Sequence, residues 1–192
     1  MPETPATGKI LRGCRAMWLT FDNSKYTCLG KDSDDLSIDT NPDTETIKNV
    51  QGETTFVNNG YTPSMSNEYI ARREDSIYPH IQYIADNLAV DDEHTSATMI
   101  VATLDIEVSQ TGAKTATGSG YSVPVKIVVD NDGGSTSGYA IPFTINEDGG
   151  RTQGTVSVSD KVPTFTPGGA SGASIDAEYG PNEQSKSKSL SD

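Results

Sequence analysis

A mainly β fold, an antiparallel sandwich or barrel with one flanking α-helix, a long projecting loop or hairpin and extended terminal arms, follows from three features of the sequence. Four segments between residues 104 and 159 alternate apolar and polar side chains, one segment has a helical period, and 18 glycines and 10 prolines stand in a Ser/Thr-rich background. Alternation at period two gives a strand one dry and one wet face, as antiparallel sheets closing over a core require. Scattered Gly and Pro mark frequent turns. Hydrophobic residues make up only 33% of the 192 residues and mean hydropathy is −0.49, so a compact core leaves much of the chain outside it. The length fits one domain with appendages: an N-terminal arm over 1–13, a β-sandwich domain over 14–165 and a C-terminal arm over 166–192.

The first strands are expected at 15–21 (RAMWLTF) and 25–29 (KYTCL), with Trp18 in the core. Asp22–Asn23–Ser24 between them favours a turn, because short polar side chains bond their own backbone. Residues 30–60 hold Asp32, Asp34, Asp35, Asp39, Asp43 and Glu45 with few apolar anchors. Within it, 30–49 is expected as a long projecting loop or a pair of wet strands, and 55–58 and 66–70 are expected to pair across Asn59–Gly60. In 75–90 (DSIYPHIQYIADNLAV), Ile77, Ile81, Ile84 and Leu88 recur at spacings of four, three and four. One helix over 76–89, with that stripe buried, is predicted. Asp75 or Ser76 is its expected cap, and Pro79 is tolerated because the first turn leaves its missing N–H without consequence.

Beyond the helix, Leu104, Ile106 and Val108 alternate with Asp105 and Glu107, and Val123, Val125, Ile127 and Val129 form a second alternating set. Ile141, Phe143 and Ile145, then Val156 and Val158, complete four strands. Asn131–Asp132–Gly133–Gly134 and Glu147–Asp148–Gly149–Gly150 are expected as hairpin loops. Pro124 and Pro142 each remove a ladder donor and belong at edges or bulges. Residues 161–165 suit one more strand, and the small, polar sequence after them reads as a linker or tail.

Net charge is −13 and the isoelectric point about 4.4, which excludes ordinary nucleic-acid binding by phosphate neutralisation. The N-terminal residues hold no apolar run of about 7–15 residues, and nothing approaches a membrane span, so synthesis in the cytoplasm and no membrane partner are expected. Cys14 and Cys28 flank the two candidate strands and could bond; without export signals a reduced, partly buried pair is favoured. His80 and His94 show no metal or triad spacing and read as surface or capping residues. Asp32, Asp34 and Asp35, and separately Asp130 with Asp132, invite a calcium reading, but neither place meets the EF-hand register, and solvated acidic loops account for them better. Gly118–Ser119–Gly120–Tyr121 lacks the strand–turn–helix context of a nucleophile elbow and reads as an interstrand turn. No cofactor, metal or catalytic set is expected, and the chain is read as a non-enzyme. Exposed strand edges and long polar arms suit a subunit better than a free module, because partners would order them.

The order of several features carries a family resemblance: Trp18 to Leu29 followed by Gly30–Lys31–Asp32, the run TNPDTETIKNVQGETTF, then Tyr61–Thr62–Pro63, then the Tyr-Pro helix DSIYPHIQYIADNL. Together they resemble the major tail tube protein of long-tailed, non-contractile bacteriophages, most clearly over residues 17–88. The resemblance implies a β-sandwich or barrel with one helix that closes into hexameric rings. Rings stack into a tube in the virion tail, assembled in the bacterial cytoplasm. Implied partners are further copies of the chain, the tape measure protein, the tail terminator and distal tail proteins, and double-stranded DNA in transit without specific binding. By position, Lys31, Asp43, Lys48, Asn49, Gly52, Glu53 and Asn58 match the family's inter-ring stacking loop. Head-to-tail surfaces of this kind close in one direction and extend in the other. An acidic bore would not grip DNA; candidates to line it are Asp32, Asp34, Asp35, Asp39, Glu45, Asp105 and Glu107. Lys31, Lys48, Arg72 and Arg73 are candidates to pair across subunits, at roughly 0–1 kcal/mol each if exposed. Alternatives are a tail terminator or capsid decoration protein, a secreted Ig-like adhesin or carbohydrate-binding module, and a calcium- or hydrolase-bearing β-domain.

Overall fold

The computed structural model describes residues 10–31, 36–112, 114–135 and 138–168. Asp32, Asp34 and Asp35, residues 1–9 of the N-terminal arm and the C-terminal arm beyond Gly168 lie outside them. The protein is mainly β, built on one curled antiparallel sheet.

The chain enters through a 3-10 turn at Arg12–Cys14. Arg12 donates to the carbonyls of Arg15 and Leu36, both at 2.6 Å, so the end of the N-terminal arm is fastened to the body. Strands β1 (Arg15–Thr20) and β2 (Thr27–Cys28) form the expected hairpin, with Trp18 opposite Cys28. Its turn is held by Asp22, whose carboxylate accepts from the Ser24 and Lys25 amides at 2.9 and 3.1 Å and from the Ser24 hydroxyl at 2.7 Å. These bonds, the Ser24 hydroxyl foremost, hold the Asp22 carboxyl well below the usual carboxylate range.

Strands β3 (Pro42–Lys48) and β4 (Thr54–Tyr61) pair only with each other. They are followed by β5 (Ser64–Asn67), helix α1 (Tyr78–Asn87), the four-residue helix α2 (Asp92–Thr95) and β6 (Ser96–Leu104). Then come β7 (Ala116–Val129), β8 (Gly133–Ser135), β9 (Gly138–Ala140), β10 (Phe143–Glu147), β11 (Thr152–Ser159) and β12 (Val162–Pro167). The sheet runs β12-β11-β7-β6-β1-β2, with β10 and then β5 added beside the second half of β7. Long β7 therefore changes partner along its length: Ala116–Ser122 faces β11, and Val125–Val129 faces β10.

Pro124 stands at that change. Its carbonyl accepts from Asp148 across the gap at 2.9 Å, and the donor it lacks is not missed between two ladders. Pro142 sits just before β10. The connection after Glu147 is not a hairpin, because β10 and β11 both pair with β7 and not with each other. Residues 133 and 134 of the other expected loop belong instead to the small β8–β9 ladder.

Two cores lie on opposite faces of β1 and β6. Met17, Leu19, Met99 and Val101 pack with Ile77, Ile81 and Ile84 of α1 and with Phe143 and Ile145. Trp18, Ile100, Ala102 and Leu104 pack with Val156 and Val158. The curl of the sheet carries β11 over the second face, and the Trp18 indole donates to the Lys161 carbonyl at 3.0 Å. Because β6 is buried on both sides, its sequence SATMIVATL is a near-continuous apolar run, which period-two alternation misses.

The alternation read at Leu104, Ile106 and Val108 is not a strand. The Asp105 carboxylate accepts from the amides of Ile106 and Thr117 at 2.9 Å and from the Thr117 hydroxyl at 3.1 Å, turning the chain out of the ladder into a 3-10 turn at Val108–Gln110. Gly118–Ser119–Gly120–Tyr121 is likewise not a turn; it lies inside β7. Neighbouring backbone comes so close there that a Cβ at Gly118 would stand 2.0 Å from the Thr103 carbonyl oxygen.

Ile77, Ile81 and Ile84 are buried as expected, but Leu88 is 83% exposed. It adopts the left-handed conformation (φ 49°) that ends α1, and this swings its side chain off the stripe. Pro79 falls in the first turn, yet the N-cap position is Ile77, without a side-chain bond. The expected caps are engaged elsewhere: the Ser76 hydroxyl bonds Thr27 and the Lys25 carbonyl, and Asp75 accepts from Tyr69 and pairs with Lys31 at 3.8 Å.

Candidate functional site

The β3–β4 hairpin stands apart from the body. Its Thr, Val and Ile residues favour extended backbone, and the ladder runs from Pro42 opposite Tyr61 to Lys48 opposite Thr54. Residues 55–58 thus pair with 44–47, not with 66–70 as the Asn59–Gly60 turn signal suggested. That dipeptide is absorbed in β4 at a register shift between Asp43 and Thr44. There Asn58 accepts from the Gly60 amide at 3.0 Å and donates to the Tyr61 hydroxyl at 2.9 Å. β5, free of β4, pairs with β10.

Asn49 builds the tip. Its side-chain oxygen accepts from the Gln51 and Glu53 amides at 3.0 and 2.9 Å, and its side-chain nitrogen donates to the Glu53 carboxylate at 2.7 Å. Gly52, with φ 82°, supplies the left-handed turn residue. At the other end is a narrow neck. Asp39 and Ser64 exchange backbone bonds of 2.8 and 2.9 Å, and Asn41 bonds Thr62 and the Ser64 hydroxyl.

Neither face of this ribbon is covered by the body. Opposed residues share a face, so Thr46, Phe56 and Asn58 lie on one side and Glu45, Ile47 and Val57 on the other. Phe56 is 68% exposed, Ile47 47% and Tyr61 59%, and Val50 at the tip is fully exposed. An isolated two-stranded hairpin is at best marginally stable in water. Covering each of these apolar side chains would contribute about 1.5–3 kcal/mol if complete.

Of the seven carboxylates expected to line the bore, the four that are described, Asp39, Glu45, Asp105 and Glu107, do not gather within one subunit. Glu45 is exposed on β3 and Asp39 at the neck, while Asp105 and Glu107 follow the far end of β6. Ser64 is level, through β10 and β7, with Ser96 at the start of β6, so the two groups are separated by about 25 Å of strand. Asp105 is engaged in its own turn, and half-buried Glu107 precedes the 3-10 turn rather than standing on a strand. Of the expected stacking-loop residues, Asp43, Lys48, Asn49, Gly52, Glu53 and Asn58 lie on the hairpin, whereas Lys31 lies off it, against Asp75.

The histidines have local roles. His80 stacks on Phe21 and His94 on Tyr83, and His94 closes α2 against Asp91 through Nδ1 at 2.6 Å. Asp130 accepts from the Thr144 hydroxyl at 2.8 Å. Asp132 accepts from Tyr139 at 2.5 Å, and that bond pushes the phenol up to about 12. Both cysteines are free thiols, and burial pushes the Cys28 thiol up, toward its protonated, unreactive form. Among the described residues, no group of three or more His, Cys, Asp or Glu side chains gathers as a metal site, and no helix is long and apolar enough to cross a membrane.

A second surface went unread in the sequence. A groove of about 580 Å³ opens between the C-terminal end of α1 and the end of β7, lipped by Leu88, Val90 and Val128. Its sequence signal is Leu88, just beyond Asn87, which the helical period assigns to the buried stripe. Compared with known protein families and with curated proteins, the chain matches none.

Proposed function

We propose that this protein is a structural subunit that polymerises by lending its β3–β4 hairpin to neighbouring copies, and that the polymer is the tail tube of a long-tailed, non-contractile bacteriophage. The observation that carries the assembly reading is the hairpin itself: an ordered ribbon with Ile47, Val50 and Phe56 exposed and no covering element of its own. Such a ribbon invites pairing with another chain. The phage-tail part rests on the order of features over residues 17–88. In this reading hexameric rings stack through the hairpins, the bore holds the tape measure protein and then conducts DNA, and terminator and distal tail proteins close the ends. With −13 charges per subunit, bore carboxylates repel the phosphate backbone and leave DNA sliding on water and counterions. Asp39 and Glu45 are the described candidates whose side chains are not engaged in a turn of the body.

Negative-stain microscopy tests the reading. Full-length protein is expected to form tubes, and a variant with residues 43–60 replaced by Gly-Gly, bridging ends already bonded through Asn41 and Thr62, is expected to stay monomeric and folded. Tubes from that variant, or a wild-type protein monomeric at high concentration, would refute it; wild-type protein that stops at single rings would replace the tube with an end-cap. Reversing Asp39 and Glu45 to lysine is expected to slow DNA ejection from particles whose tubes form normally. Unchanged ejection would remove both residues from the bore.

A further inference from the structure

We infer that one bound water molecule closes the sheet at the seam between β2 and β5, held there by the side-chain oxygen of Asn67. The inference concerns the body alone and stands apart from the assembly reading.

The seam follows from the topology. Counted from one end, the strands run β2-β1-β6-β7-β10-β5. The first core takes Met17, Met65, Met99, Ile127 and Phe143 from five of them and Leu29 from the residue after β2, so the run wraps round that core. Its end strands meet at a narrow cavity of about 10 Å³, walled by Cys28, Gly30 and Lys31 on one side and by Asn67, Tyr69 and Asp75 on the other. Room of that size is about the least that holds one water. Among the described residues no ladder joins β2 to β5 across it.

Asn67 creates the demand for a ligand. It is 3% exposed, and its side-chain oxygen has no hydrogen-bond partner among the described residues. A buried acceptor without a donor costs more than an apolar side chain of the same shape, so its presence calls for a donor that reaches it. The facing strand edge offers the second partner. Leu19 pairs with Thr27, and the Leu29 amide donates to the Met17 carbonyl at 2.9 Å. Antiparallel bonding alternates along a strand, so the amide and carbonyl of Cys28 turn away from β1, toward the seam. Water both donates and accepts, and it bonds Asn67 on one side and the Cys28 main chain on the other. A single ligand thus stands in for the ladder bonds between the two edges.

A cation fits this place less well. The carboxylate in the wall, Asp75, accepts from the Tyr69 hydroxyl at 3.3 Å and pairs with Lys31 at 3.8 Å. The Lys31 ammonium is already its counter-ion, and a second positive charge beside it would be repelled.

A high-resolution structure of the full-length protein, from crystals or tubes, tests the assignment. One density peak is expected about 3 Å from the Asn67 oxygen, with a main-chain atom of β2 within the same reach. No peak there, or a peak surrounded by about six oxygens at about 2.4 Å as a metal ion gathers them, would overturn it. Asn67→Leu gives a second readout, because it keeps the bulk and removes the oxygen. Loss of the peak is expected, with amide hydrogen exchange over 26–31 and 64–68 at least about fivefold faster than in the wild type and exchange over α1 unchanged. A peak that persists would assign the water to β2 alone, and unchanged exchange at the seam would show that it joins nothing. Exchange accelerated equally over α1 would mean a loosened core rather than an opened seam. Each of these three results overturns the bridge, and the wild-type density decides by itself if the variant does not fold.

Discussion

β6 and β4 are strands of nine and eight residues, both carrying β-branched and apolar side chains, with two asparagines added in β4, yet one is dry on both faces and the other wet on both. β6 lies between β1 and β7 with Met99 and Val101 in one core and Ile100 and Ala102 in the other. β4 has β3 on one side and, among the described residues, is exposed along nearly its whole length on both faces. Local propensity made both extended; what differs is whether the described body supplies cover. The body is stabilised by burial within one chain. The hairpin keeps its shape through ladder bonds and the Asn49 tip, and its apolar side chains Ile47 and Phe56 stay exposed.

The sharpest way to break that contrast is to damage each side and ask which property fails. Trp18 is completely buried and also donates to the Lys161 carbonyl, so Trp18→Ala is expected to destabilise the body by about 3–5 kcal/mol. Urea denaturation measures it, and a loss below about 1 kcal/mol would mean that the second core is not a core. On the hairpin, the double change Ile47→Ser and Phe56→Ser is expected to leave the unfolding free energy from urea denaturation within about 0.5 kcal/mol of wild type, as for other surface substitutions, while assembly seen by sedimentation is lost. Equal loss of folding and assembly would show that the ribbon belongs to the body after all.

The smallest effect concerns the β1–β2 turn. Because the folded Asp22 carboxyl is held below its ordinary value of 3.8, its contribution is fully present above that value and is lost as pH falls below it toward the folded pKa. The stability difference between wild type and Asp22→Ala is therefore expected to be larger at neutral pH than at about pH 3. The same difference at both would detach the turn from this carboxylate.

How much was legible in the sequence depended on whether an element had one dry face. Val123, Val125 and Ile127 alternate because β7 is covered on one side along that half, and Ile77, Ile81 and Ile84 mark the single buried stripe of α1. β6 was missed for the opposite reason, since two cores leave no polar face to alternate with. Leu88 kept the helical period one residue past the point where the helix stops, and periodicity does not register a left-handed backbone. Gly118 and Gly120 look like turn glycines, but here they admit a neighbouring strand at close range. β3 falls in the stretch legible as a projecting loop or wet strands; its partner was not legible, because Asn59–Gly60 is a turn signal that a β-bulge can also use. The groove lies between elements distant in sequence, and no local pattern marks it.

Among the described residues, the neck at Asp39, Asn41, Thr62 and Ser64 joins the body to an arm about 23 Å long, taking seven paired residues at the usual rise per residue. Such an arm works as a lever: a tilt of about 10° at its pivot displaces the far end by about 4 Å. If copies assemble through this arm as proposed, neighbours could lean against one another without any strand of either body shifting its pairing, and a stiff material would become a pliable column.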